Sequence, residues 1–151
     1  MAIRLDGLVE EEKQTVKQGG YEEEISFWDG CKGNGLSAGV ERRLAVLVGE
    51  AEQARRQYYV GSTVKVLRRW VGWYDREGNW VEGHRHSHTG LGARALGMEV
   101  VAVTEGKAGG QLETKAITRF FGRTYCNNQR PDAAGTVDNP DVVNYLYFVY
   151  W

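Results

Sequence analysis

Val40, Leu44, Leu47, Val48, Ala51, Ala54 and Tyr58 recur at steps of three and four, with Arg42, Arg43, Glu50, Gln53 and Arg56 between them. That spacing predicts an amphipathic helix of about five turns beginning after Ser37. Leu8, Glu12 and Val16 carry the same period over 6–18, acids sit in the early turns, and Gly19-Gly20 supplies a stop, so a shorter helix is predicted there. Tyr21, Ile25 and Trp28 stand at i, i+4 and i+7, which also reads as a helical face. Leu112, Ala116 and Phe120 mark a further helix over 111–121, closed by Gly122.

The period changes to two after Gly61. Residues 63–74 are rich in Val and Trp and predict a strand; Asp75, Arg76, Glu77, Gly78 and Asn79 have hairpin-turn chemistry, and 80–88 returns as its antiparallel partner. Met98 to Thr104 is nearly continuously apolar, as a central strand would be, and Val142 to Trp151 reads as a terminal strand buried in a sheet. Residues 127–140, with both prolines, are expected to form a surface loop. The expected architecture is one α+β domain over 1–151, an acidic helical segment at 1–36 followed by an α+β core at 37–151. An antiparallel sheet of about four strands would carry helices on one face.

A length of 151 residues fits one domain, and a composition of 42% hydrophobic and 26% charged residues is that of a globular chain. No apolar run approaches the length of a membrane span, so a cytoplasmic protein without a membrane partner is expected. Two cysteines, Cys31 and Cys126, make neither a disulfide framework nor a CxxC metal pair. The formal charge of −1 conceals a division: residues 1–30 hold three basic and eight acidic side chains, net −5, whereas 31–94 hold eleven basic and six acidic ones, net +5 and mostly arginine. A basic middle segment can act on an anionic partner even in a near-neutral protein, although a solvated helix or sheet face accounts for it as readily.

Three patterns bear on chemistry. His84, His86 and His88 alternate, so on a strand they would share a face that can hold a divalent ion, but an extended strand spreads its side chains too widely to ring one metal. Gly30-Cys31-Lys32-Gly33-Asn34-Gly35 lacks the GxxxxGK[ST] order of a phosphate loop, and no nucleophile elbow is present. Basic and aromatic residues interleave from Lys65 to Trp80. Regular alternation would place Lys65, Arg69 and Trp73 on one strand face and Arg68 and Trp70 on the other, a form suited to phosphates and base stacking. A sheet whose tryptophans pack into the core competes with that reading.

From about residue 58 to 122 the chain resembles the tombusvirus and aureusvirus type of RNA-silencing suppressors. The likeness rests on Tyr58, Tyr59 and Gly61, a basic strand ending Tyr74-Asp75-Arg76, His84-Arg85 before Thr89-Gly90, a strand ending Glu105-Gly106, and Gly109-Gly110 opening a helix. The resemblance implies a homodimer that sequesters double-stranded small RNA without sequence preference, with no catalysis and no cofactor. Lys65, Arg68, Arg69, Arg76 and Arg85 would then contact phosphates. Trp70, Trp73, Lys115 and Arg119 complete the expected nucleic-acid-binding set, and a structural or protein-interaction module using exposed aromatics is the alternative.

Overall fold

A computed structural model describes residues 5–32, 38–87, 94–105, 107–128 and 143–151. Four strands make the main sheet: β1 (Ile25–Phe27), β2 (Tyr58–Thr63), β5 (Gly97–Glu105) and β6 (Val143–Tyr150), in the order β1-β5-β6-β2. The strands β5, β6 and β2 run antiparallel to their neighbours, while β1 joins β5 in parallel. A separate two-stranded ribbon pairs β3 (Gly72–Tyr74) with β4 (Trp80–Glu82). The four α-helices are α1 (Leu5–Gln18), α2 (Ala38–Gln53), α3 (Val66–Val71) and α4 (Lys107–Phe120); short 3₁₀ turns occupy Asp29–Lys32 and His84–His86.

The α+β class agrees with the sequence, but the sheet is mixed rather than antiparallel, and only β5 and β6 of its four strands are expected ones; the hairpin expected from 63 to 88 survives only as the separate ribbon. Helices, however, cover both faces of the sheet rather than one. On one face Val40, Leu44 and Val48 of α2 and Ala116, Ile117 and Phe120 of α4 pack on Tyr58, Val60, Leu146 and Phe148. On the other, Val9 and Val16 of α1 and Val66 and Trp70 of α3 pack on Met98, Val100, Val103, Tyr145 and Tyr147. The apolar run in β5 serves both: the register slips between Val100 and Ala102, so Val101 and Ala102 face α2 while Val100 and Val103 face α1.

Two elements differ from the sequence expectation. Residues 66–71 are helix, not strand, because Val66 and Trp70, four apart, bury one face of a short helix completely. That run satisfies a period of two and of 3.6 alike, and packing decides between them. Its first turn has no cap from its own side chains; Glu12 of α1 reaches across and accepts the Val66 N–H at 3.0 Å. Residues 25–27 are strand, not helix, since the Glu24 carbonyl accepts the Met98 N–H and Ile25 buries itself against β5. The acidic first segment thus contributes an edge strand to the common core. The long helix also stops at Gln53, and Tyr58 opens β2 instead.

The free edge of β2 is closed by residues 125–128. Tyr58 N–H bonds to the Tyr125 carbonyl, Asn127 N–H to the Tyr58 carbonyl, and the Asn128 carboxamide both accepts from Val60 N–H at 3.0 Å and donates to the Val60 carbonyl at 2.7 Å. Asn128 stands in for a strand neighbour, which protects the edge. Among the described residues no helix is long and apolar enough to cross a membrane.

Candidate functional site

The main sheet is covered on both faces, so the basic and aromatic residues expected on an exposed strand occupy other positions. Trp70 is completely buried in the core, where its indole N–H donates to Glu24; it cannot stack on a ligand. Arg85 donates to the same Glu24 carboxylate at 2.8 Å and lies over the Tyr21 ring, a tie between the 3₁₀ turn and the start of β1. Lys115 and Arg119 belong to α4, on the opposite face of the sheet from α3; Lys115 pairs with Glu41 at 2.6 Å, and Arg119 lies over Phe120. Arg68, Arg69 and Trp73 do come together where α3 meets the ribbon, while Lys65 precedes α3 and Arg76 lies in the β3–β4 turn. The guanidinium groups of Arg68 and Arg69 both approach the Trp73 ring, at 5.7 and 5.8 Å.

The histidines do not share a strand face. His84 and His86 lie on a 3₁₀ turn, and His88 is outside the described residues. No cluster of three metal-ligating side chains occurs among the described residues. Cys31 is buried and burial pushes the Cys126 thiol up, so neither is poised as a thiolate nucleophile.

His84 instead joins a cluster that sequence reading did not assemble. The Tyr147 hydroxyl lies 2.8 Å from His84 Nε2 and accepts a hydrogen bond from Arg69 Nε at 3.1 Å. Tyr59 completes the group, its ring 4.9 Å from the imidazole and its hydroxyl a second partner of Arg69. Each residue arrives from a different element: Tyr59 from β2, Arg69 from α3, His84 from the turn after β4, and Tyr147 from the central strand β6. Gly61 makes the arrangement possible. It pairs with Tyr147 across the β2–β6 ladder, and a Cβ there would fall 2.6 Å from the Tyr147 hydroxyl oxygen and 2.7 Å from a ring carbon of Tyr59.

The protonation states follow from burial and from Arg69. Burial, then the neighbouring guanidinium, lowers the His84 pKa to about 3, so the imidazole is neutral across the physiological range. Burial pushes the Tyr147 phenol up, Arg69 pulls it back, and Tyr59 and the Glu113 carboxylate oppose that pull. Burial acts against the charge on Arg69, but the two phenols outweigh it and the guanidinium stays charged. The result is a neutral proton acceptor, a phenol bonded to it, and a fixed cation within one hydrogen-bonded chain. The group therefore presents one fixed cation, Arg69, held by two phenols and backed by a neutral imidazole, an arrangement suited to binding an anion.

Glu113, on α4, is the buried carboxylate within electrostatic reach of this chain, and the Ser62 hydroxyl donates to it at 2.5 Å. Elsewhere, a cleft of about 350 Å³ between α2 and the sheet is lined in part by Arg43 and Glu99, which satisfy each other in two hydrogen bonds of 2.7 and 2.6 Å. Tyr59 and Gly61 could be flagged in the sequence as part of an aromatic and glycine run, but Tyr147 lies nearly ninety positions away and only the strand register brings it to them. Comparison with protein-family models, curated proteins and solved structures returns no match for this chain.

Proposed function

We propose that this protein hydrolyses phosphodiester bonds in nucleic acid, with Arg69, Tyr147, His84 and Tyr59 as its reacting group. One observation carries the reading: a single phenol oxygen is held between a charged guanidinium and a neutral imidazole. The planar fork of Arg69 suits a phosphate, and the charge that develops on phosphoryl oxygens as a nucleophile adds is best stabilised by such a preorganised cation. A water oxygen attacks phosphorus and loses its proton to solvent, while Tyr147 and His84 hold the Arg69 guanidinium toward the phosphate. The P–O bond to the leaving sugar breaks, and that oxygen takes a proton from solvent, leaving a phosphate monoester and a free hydroxyl.

One further feature supports nucleic acid as the substrate. Lys65, Arg68 and Arg76 are exposed beside the cluster's own helix and ribbon, where they can follow a phosphate backbone.

The same exposed cations favour a second reading, in which a cytoplasmic homodimer sequesters duplex RNA without cutting it, as the resemblance implies. Incubation of labelled RNA and DNA with the protein and magnesium separates the two. Shortened products that disappear in Arg69→Ala support hydrolysis. An intact, salt-sensitive complex with duplex RNA supports sequestration.

A further inference from the structure

We propose that Arg68 and Arg69, both held on the Trp73 ring, form a two-guanidinium clamp for the backbone phosphates of the substrate, with Trp73 as the positioning residue of the clamp and not a surface for base stacking. The inference rests on the nucleic-acid reading above and adds how the site grips its substrate. Two guanidinium groups adjacent in sequence approach one ring, Arg68 at 5.7 Å and Arg69 at 5.8 Å from its centroid. The face of an indole attracts cations through its quadrupole, so one ring holds near each other two like charges that otherwise move apart.

The backbone fixes that ring before any ligand arrives. Arg68 and Arg69 lie in the last turn of α3, and Gly72, whose N–H bonds to the Arg68 carbonyl, joins the helix to β3 at a φ of +122° that a side chain would resist. Trp73 follows at once and is pinned by its pairing with Val81. Strand alternation places it on the opposite face of the ribbon from Tyr74, Trp80 and Glu82. Arg69 is also tied from its other side, since its Nε donates to the Tyr147 hydroxyl at 3.1 Å.

No carboxylate neutralises the two cations. None of the ion pairs among the described residues includes Arg68 or Arg69. Glu82 holds the Trp80 indole on the far face of the ribbon, Asp75 and Glu77 belong to the turn at the end away from α3, and Glu12 accepts the Val66 N–H. Two guanidinium forks kept together without a counter-charge are completed by an anion of phosphate geometry. Arg69 takes the reacting phosphate, and Arg68, exposed beside it, takes a second contact on the same backbone.

The test is the salt dependence of binding. A labelled DNA hairpin with a single-stranded tail is titrated by fluorescence anisotropy, without divalent ions and at several salt concentrations, against the wild type, Arg68→Ala, Trp73→Ala and Trp73→Phe. Each phosphate neutralised contributes about 0.7 to 0.9 to the slope of log K against log salt. Arg68→Ala should reduce the slope by about one such contact and weaken binding by about tenfold. Trp73→Ala removes no charge, yet should reduce the slope by about one contact or more with a similar loss of affinity, and Trp73→Phe, which keeps a ring for the cations, should recover most of both. A misfolded fraction lowers the amount of active protein but leaves the slope alone, so the slope reads the clamp and not the fold. Unchanged affinity in Trp73→Ala, weaker binding at the wild-type slope, a Trp73→Phe protein no better than Trp73→Ala, or an unchanged slope in Arg68→Ala overturns the clamp while leaving the hydrolytic reading in place. Failure of the wild type to bind the hairpin overturns both.

Discussion

Gly61 and Tyr147 face each other across the β2–β6 ladder, and the absence of a side chain at Gly61 leaves the space in which the Tyr147 hydroxyl meets Arg69 and His84. Gly61→Ala is expected to push the phenol off this position. Hydrolysis should fall by about a hundredfold, the scale of losing one well-placed group, while far-ultraviolet circular dichroism stays unchanged. Retention of full activity would mean that the phenol position is unimportant.

Tyr147→Phe removes the hydroxyl without creating a cavity but leaves Arg69 Nε and His84 Nε2 without that shared partner in a buried place. Urea denaturation should show a loss of about 1–3 kcal/mol. A variant as stable as the wild type would show that water replaces the phenol at no cost.

His84 makes stability depend on pH in a defined direction. The unfolded chain takes up a proton near the ordinary histidine value of 6.5, whereas the folded protein holds His84 neutral down to about 3. Its contribution is fully present above pH 6.5 and is lost as pH falls, with a slope of up to about 1.4 kcal/mol per pH unit in between. His84→Gln should flatten this part of the curve when unfolding is compared at about pH 7.5 and about pH 5. An identical slope in the two proteins would place the pH dependence on other groups.

Much of the fold is legible in the sequence because several elements carry one unambiguous period. The α2 stripe from Val40 to Ala51 and the β6 run from Asn144 to Val149 are buried as their patterns require. The segment from Val66 to Val71 misleads because it is only six residues long and fits two periods. Its identity is settled by the burial of Val66 and Trp70 and by a cap from Glu12, more than fifty positions away. The candidate site is less legible for the same reason. Arg69 and His84 stand out as residue types, but their partner Tyr147 looks like one more aromatic in a strand until β6 pairs with β2.

Arg43 and Glu99 join α2 to β5 through a two-pronged ion pair, the carboxylate side chain 12% exposed. Arg43→Ala leaves that carboxylate partly buried without its cation, which should cost about 2–4 kcal/mol in thermal or urea unfolding. Glu99 lies on a different face of the sheet from Tyr147, so activity at low temperature should be kept. A stable Arg43→Ala protein would assign the pair no structural weight.

Asn128 gives a second test of stability away from the cluster. Its carboxamide makes both hydrogen bonds to Val60 at the edge of β2. Asn128→Ala should destabilise the protein by about 1–3 kcal/mol and speed amide exchange at Val60, read by hydrogen–deuterium exchange. Unchanged protection at Val60 would show that the edge is held by other contacts.

The most direct measurement is a cleavage assay on labelled single-stranded and duplex nucleic acid with magnesium, comparing the wild type with Arg69→Ala and Tyr147→Phe at equal folded concentration. The wild type should release shortened products, and each variant should be slower by about a hundredfold or more. Intact substrate with the wild type, or products formed equally fast by both variants, would contradict the assignment of Arg69, Tyr147 and His84 as a hydrolytic group.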